Sequence, residues 1–129
     1  MQKIAQSTLI LLFVATILFH ILVLAQIIDY KLVWGGRMNT VTEMYIFESI
    51  SLFLNILFLI VVLIKTNKIK IGINKKVINT TLFLMLIVFV LNTVGNLISK
   101  NSYEKLIFTP LTFLSAIFIF IVMNVKEDK

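Results

Sequence analysis

Hydrophilic side chains are scarce inside the long apolar stretches of this 129-residue chain, and where they occur they recur at helical spacing. Glu48, Ser51 and Asn55 stand at i, i+3 and i+7, and Asn92, Asn96 and Ser99 at i, i+4 and i+7. Thr109, Thr112 and Ala116 form a third stripe, Thr16 and His20 a fourth. On an α-helix these spacings place each set on one face. Glu48 and His20 are the types that exchange protons in general acid–base work. Asn and Thr can contact a ligand or hold helices together. Other chemistry is excluded. A catalytic zinc usually has three protein ligands, and one His with one intramembrane Glu is too few. A single imidazole cannot supply both ligands of a bis-His haem. The chain has no cysteine, hence no disulfide and no thiolate site. There is no GxGxxG, P-loop, GxSxG or HExxH motif, so no cofactor or metal is expected.

The elements that must carry these residues are plain from composition. The chain is 60% hydrophobic and only 14% charged, against about 25% charged in an ordinary soluble domain. A bilayer-spanning helix needs roughly 20 apolar residues. Four segments qualify, at about 4–28, 41–64, 77–98 and 106–125. They use most of the chain and leave no room for a soluble domain. Backbone polar groups in hydrocarbon must be satisfied internally, which favours helices, and the even alternation of a membrane barrel is missing. The expected fold is therefore all-α: a single four-helix transmembrane bundle over residues 1–129, with short loops.

Charge sets the expected orientation. Lys and Arg accumulate in cytoplasmic loops. Lys3, Lys65, Lys68, Lys70, Lys75, Lys76, Lys126 and Lys129 fall on one side; Lys31, Arg37, Lys100 and Lys105 fall on the other. Eight against four puts both termini and the middle loop in the cytoplasm. The net charge of +6 is thus read as a topology signal that also touches anionic lipid, not as a nucleic-acid surface. Trp34, Tyr30, Tyr45 and Tyr103 all lie near the outer ends, where amphipathic rings prefer to sit. The first stretch is longer than the signal-peptide core of about 7–15 residues and is interrupted by His20, so a retained helix is expected. The bias toward Ile, Lys, Asn and Phe fits an AT-rich bacterial genome, hence an inner membrane.

Local signals refine the boundaries. Thr40-Val41-Thr42-Glu43 reads as a capping box that starts the second helix near Val41. Asn101 with Glu104 offers a similar cap to the fourth. Pro110 follows about two turns later and must kink that helix or begin it.

At about 1.5 Å of rise per residue, Glu48 lies roughly 10 Å below the start of its helix, and His20 and Asn92 at comparable depth. These three, with Asn96, Thr109 and Thr112, belong to the outer half; the inner half is almost wholly Leu, Ile, Val, Phe and Met. A charge near the bilayer centre costs about 2.5–3.5 kcal/mol on insertion scales and faces the bundle interior or water. The expectation is an outward-opening polar cavity lined by His20, Glu48, Asn55, Asn92, Asn96 and Thr112. The segment carrying Trp34 and Arg37 would roof it. Gly35-Gly36 permits a tight turn there, and Arg37 could face Glu43, Glu48, a phosphate or an anionic ligand. Each residue also has a structural use: Glu48 and His20 can fix helix register, Asn can join helices, and Arg37 can anchor a loop.

The acid stands in the second helix, whereas small multidrug exporters carry theirs in the first. The placing of acid, Asn and Trp in an outward cavity resembles sterol-isomerase-like bundles in arrangement, without a shared motif. Four readings compete. A module binding a small or lipidic ligand comes first. An accessory subunit, such as an assembly or immunity factor within a homo- or hetero-oligomer, comes second. An enzyme acting on a lipidic substrate through Glu48 and His20, and a proton-coupled transporter that would need a dimer, follow. The lipid bilayer is the expected surrounding, and nucleic acid is not a partner.

The orientation is directly testable. Single cysteines can be placed in this cysteine-free chain at Gly72 and at Ser102. Only the Ser102→Cys variant should react with an impermeant maleimide on intact cells; Gly72→Cys should react after permeabilisation alone. The reverse pattern would invert the bundle.

Overall fold

The computed structural model describes residues 1–125; Lys126 and Lys129 of the charge count lie outside the described residues. Four helices follow one another: α1 Gln2–Leu24, α2 Val41–Lys65, α3 Lys75–Leu97 and α4 Thr109–Met123. A π-helical turn, Glu104–Phe108, leads into α4. Counted with that turn, all four are long and apolar enough to cross a membrane. No strand is present among the described residues.

Each boundary has a local cause. Helix α1 ends at Leu24 and not near residue 28, because Gln26 adopts a left-handed φ of 57°. Gln26 N then donates to Val23 O and Ile27 N to Leu22 O, the paired bonds of a Schellman cap. Helix α2 ends the same way around Asn67, at φ 56°, where Asn tolerates the conformation better than Gln does. At the start of α2, Thr40 Oγ1 accepts from Glu43 N at 3.1 Å, as its sequence requires. Glu43 reaches back one residue further than a capping box would, accepting from Asn39 N at 2.8 Å.

The fourth span resolves the Pro110 question through its backbone. Thr109 N donates to Glu104 O, five residues back. This wider turn accommodates the proline, which has no N–H to donate and would crowd an ordinary preceding turn. Asn101 caps the segment, its Oδ1 accepting from Tyr103 N at 2.9 Å. Glu104 does not complete the box; its carboxylate goes elsewhere.

Helix α1 packs closely on α2 and α4, and α3 on α4; the seam between α2 and α3 is the least closed of the four. The main core fills the half of the bundle near the lysine-rich loop. Leu9, Phe13, Phe58, Leu82, Met85 and Ile119 are among its members. Phe13 stands edge-on to Phe58 and to Phe89, with ring centroids 6.3 Å and 5.6 Å apart. A smaller cluster of Val23, Val33, Met38 and Met44 packs the opposite end under the α1–α2 loop. Outward faces are apolar as well: Leu11, Phe53, Leu91 and Phe120 are each more than half exposed. In water such a belt would be a liability; lipid tails cover it at no cost.

In a bilayer, which these helices are apolar enough to span, core packing is worth less, since side chains there leave hydrocarbon and not water, and fit matters more than transfer. Phe13→Ala should therefore lower the detergent melting temperature by an amount corresponding to about 3 kcal/mol or somewhat less. Leu11→Ala, on the same helix but facing out, should leave it almost unchanged. Equal effects would mean that the interior assigned to Phe13 is wrong.

Candidate functional site

The polar residues collect at the loop end of the bundle, but seam by seam. Between α1 and α2, Glu48 is completely buried. Its Oε1 accepts from Trp34 Nε1 at 2.7 Å and its Oε2 faces His20 Nδ1 at 2.6 Å. An ionised carboxylate is an acceptor only, which suits two converging donors. The tautomer of His20 follows from Asn55. Asn55 Nδ2 donates to Ser51 O at 2.8 Å, and a backbone carbonyl can only accept. The same nitrogen lies 3.4 Å from His20 Nε2, which must then be the acceptor. The imidazole proton is thereby placed on Nδ1, donated to Glu48. Asn55 Oδ1 is left buried without a partner.

Between α3 and α4 a second group is joined through Thr112. Its hydroxyl lies 3.0 Å from Thr93 Oγ1 and 3.5 Å from Asn96 Nδ2, and donates back into its own helix. These are interhelical ties of the kind that hold membrane helices together.

The loop between α1 and α2 spans both seams. Trp34, Gly35 and Gly36 carry φ of 56°, 67° and 68°. The two glycines adopt this left-handed path freely, as their sequence suggests; Trp34 does not, since its Cβ is crowded there. Trp34 is held by its indole bond to buried Glu48 and by a ring contact with Phe47 at 5.4 Å. On the other side Gly35 N donates to Glu104 Oε1 at 2.6 Å, and Asn101 Nδ2 to Leu32 O at 2.6 Å. The loop is thus pinned to α2 by one carboxylate and to the entry of α4 by another.

Under the loop, where α2 and α3 stand apart, a groove of about 470 Å³ opens. Of the side chains expected to share one chamber, Asn92 and Asn96 line it, with Trp34 and Arg37 of the roof. His20, Glu48, Asn55 and Thr112 do not. The single chamber is corrected to two closed polar seams and one open groove. The physical reason is reach: a hydrogen bond closes at about 3 Å, so each acceptor takes its donor from the adjoining helix. Nothing draws the stripes of α1 and α2 toward α3. Arg37 pairs with neither Glu43 nor Glu48; its side chain makes no hydrogen bond or ion pair among the described residues. The Asn92 side chain makes none either, and it is exposed.

Two acidic residues of the groove escaped sequence reasoning as part of its lining. Glu104, only 5% exposed, looked like half of a cap, and Glu43 like the other half of another; both line the groove. The available signal was that Glu104 precedes Pro110 by fewer than two turns, so its helix could not be regular. No group of three or more His, Cys, Asp or Glu side chains that could hold a metal ion occurs among the described residues.

The chain matches no protein-family model, no curated protein and no solved structure.

Removing one member of the Glu48 group leaves the other buried without its partner. His20→Ala should destabilise the protein in detergent by about 1–3 kcal/mol, the cost of leaving a buried acceptor without its donor. The double variant His20→Ala, Glu48→Gln should recover part of that loss, because no charge is then stranded. Trp34 is the sole tryptophan, so its emission reports on the loop: Glu48→Ala should shift it, Asn55→Ala much less. Additive single and double effects would show that His20 and Glu48 are not coupled.

Proposed function

We propose that this chain is a small multi-pass protein of a bacterial inner membrane, with both termini cytoplasmic, whose groove between α2 and α3 binds a small or lipidic ligand. The observation that supports the reading best is a cavity whose lining includes polar side chains without a partner. Its volume of about 470 Å³ lies within the range of about 300–1,000 Å³ common for small-molecule sites. Arg37 and Asn92 both line it without a side-chain partner among the described residues. Asn92 lies about 7.5 Å below the end of α3 by the helical rise. An amide at that depth is costly to leave without a hydrogen bond. Loop tethers at Glu48 and Glu104 hold the roof in place before any ligand arrives, which lowers the ordering cost of binding.

The His20–Glu48 pair supports a different conclusion. Both Glu48 oxygens are engaged, and neither residue lines the groove. Their role in this reading is to lock α1, α2 and the loop, which is also what an accessory subunit without ligand would need. Acid–base catalysis by Glu48 loses ground for the same reason, since a catalytic group must reach the reacting atom.

Gly95 provides the test. A Cβ added there would meet nothing within 4 Å, so Gly95→Phe can place a ring in the groove without disturbing the helix. Native mass spectrometry of protein released from membranes should show a retained small molecule on the wild type and none on Gly95→Phe, at equal melting temperature. A wild type that retains nothing, or retention unchanged by the ring, would favour the accessory subunit.

A further inference from the structure

The groove carries charges of both signs that do not neutralise each other. Arg37 comes from the roof, Glu43 from the first turn of α2 and Glu104 from the entry to α4. Each carboxylate uses one oxygen on a backbone N–H, of Asn39 and of Gly35 respectively. Their other oxygens make no hydrogen bond among the described residues, and neither carboxylate pairs with Arg37. Yet the groups are near one another: a Cβ on Gly35 would stand 3.5 Å from Arg37 Nε and 3.6 Å from Glu104 Oε2. An arginine so close to carboxylates would normally fold onto one of them. Separate placing of the two signs around one cavity suits a ligand that bears both.

Polarity changes with depth in one direction. The three charged side chains stand at the rim, where the spans end and headgroups lie. Asn96 follows about one residue's rise below the end of α3, and Asn92 about 6 Å deeper. Leu91 and Phe47 come next, roughly 9 Å below the ends of their helices. Both are well exposed, and both line the same groove. Charge, then amide, then hydrocarbon is the order of a phospholipid from headgroup through ester linkages to acyl chain. The opening between α2 and α3 gives that chain a sideways exit into the bilayer.

We infer that the groove holds a membrane lipid whose headgroup carries a phosphate and a primary ammonium, of the phosphatidylethanolamine type. Arg37 takes the phosphate, Glu104 and Glu43 receive the ammonium protons, and Asn96 and Asn92 donate to the ester region. A quaternary ammonium has no N–H to give the carboxylates, and a glycerol headgroup has no cation. The inference rests on reading the groove as a binding site and names the class of its ligand.

The test uses full-length protein in phosphatidylcholine nanodiscs and the fluorescence of Trp34, which lines the groove. Small fractions of lipid brominated on the acyl chain are added with ethanolamine, glycerol or choline headgroups, since bromine quenches an indole it touches. Ethanolamine lipid should reach half-maximal quenching at about a tenfold lower fraction than either other lipid, the difference one charge-assisted hydrogen bond makes. Glu104→Gln, which keeps an acceptor for Gly35 N, should abolish the preference over choline lipid. Arg37→Gln should weaken quenching by ethanolamine and glycerol lipids alike. Equal quenching by all three headgroups, or a preference for the glycerol headgroup, overturns the inference. If either result occurs while Gly95→Phe still releases a retained molecule, the groove binds something else and the broader reading stands. If Gly95→Phe also changes nothing, both fail.

Discussion

One buried carboxylate organises the loop end of this protein. Glu48 has no contact with solvent, and its two oxygens take hydrogen bonds from different parts of the chain, the indole of the α1–α2 loop and the imidazole of α1. In hydrocarbon a carboxylate cannot stand without such partners. Meeting that requirement fixes the register of α1 on α2 and draws Trp34 inward. It also holds the left-handed turn at 34–36, whose first residue would not choose that conformation. The loop, once held there, becomes a roof. Glu104 plays the same part from the other side by accepting from Gly35 N.

The two halves of the bundle follow different rules. Toward the lysine-rich loop, phenylalanines and aliphatic side chains interlock, and the helices close on one another. Toward the other end the apolar cluster is smaller, and side-chain hydrogen bonds join helices pairwise: α1 to α2, α3 to α4. A bundle assembled from two such pairs has a seam where neither pair needs the other. That seam lies between α2 and α3, and the groove opens there. Its polar lining is what remains of the stripes once each pair has satisfied itself. Asn96 shows the division within one side chain, lining the groove while approaching Thr112 of α4.

Much of this was legible in the residues. Spacings of three and four put the hydrophilic side chains on single faces, and Thr40 announced the start of α2. Gly35 and Gly36 marked the turn, which they make at positive φ. The end of α1 was less visible, because Gln26 is not a residue type that signals a left-handed cap. Pro110 left two alternatives open; it stands in the first turn of α4, and what the residues did not show is the π-helical turn that leads into it. The candidate site was half legible: Asn92, Asn96, Trp34 and Arg37 line one groove, while His20, Glu48, Asn55 and Thr112 belong to closed seams.

Sequence by itself determined that four helices are long and apolar enough to cross a membrane, and the end of the bundle at which most polar groups gather. Both follow from composition and periodicity, which are properties of each helix taken alone. Which stripe meets which depends on helix rotation and neighbour order, and these are settled only when side chains compete for partners across a few ångströms. Tertiary structure therefore decided that Glu48 is a fastening, that Glu104 is its counterpart, and that the cavity lies between the two helices with least need of each other.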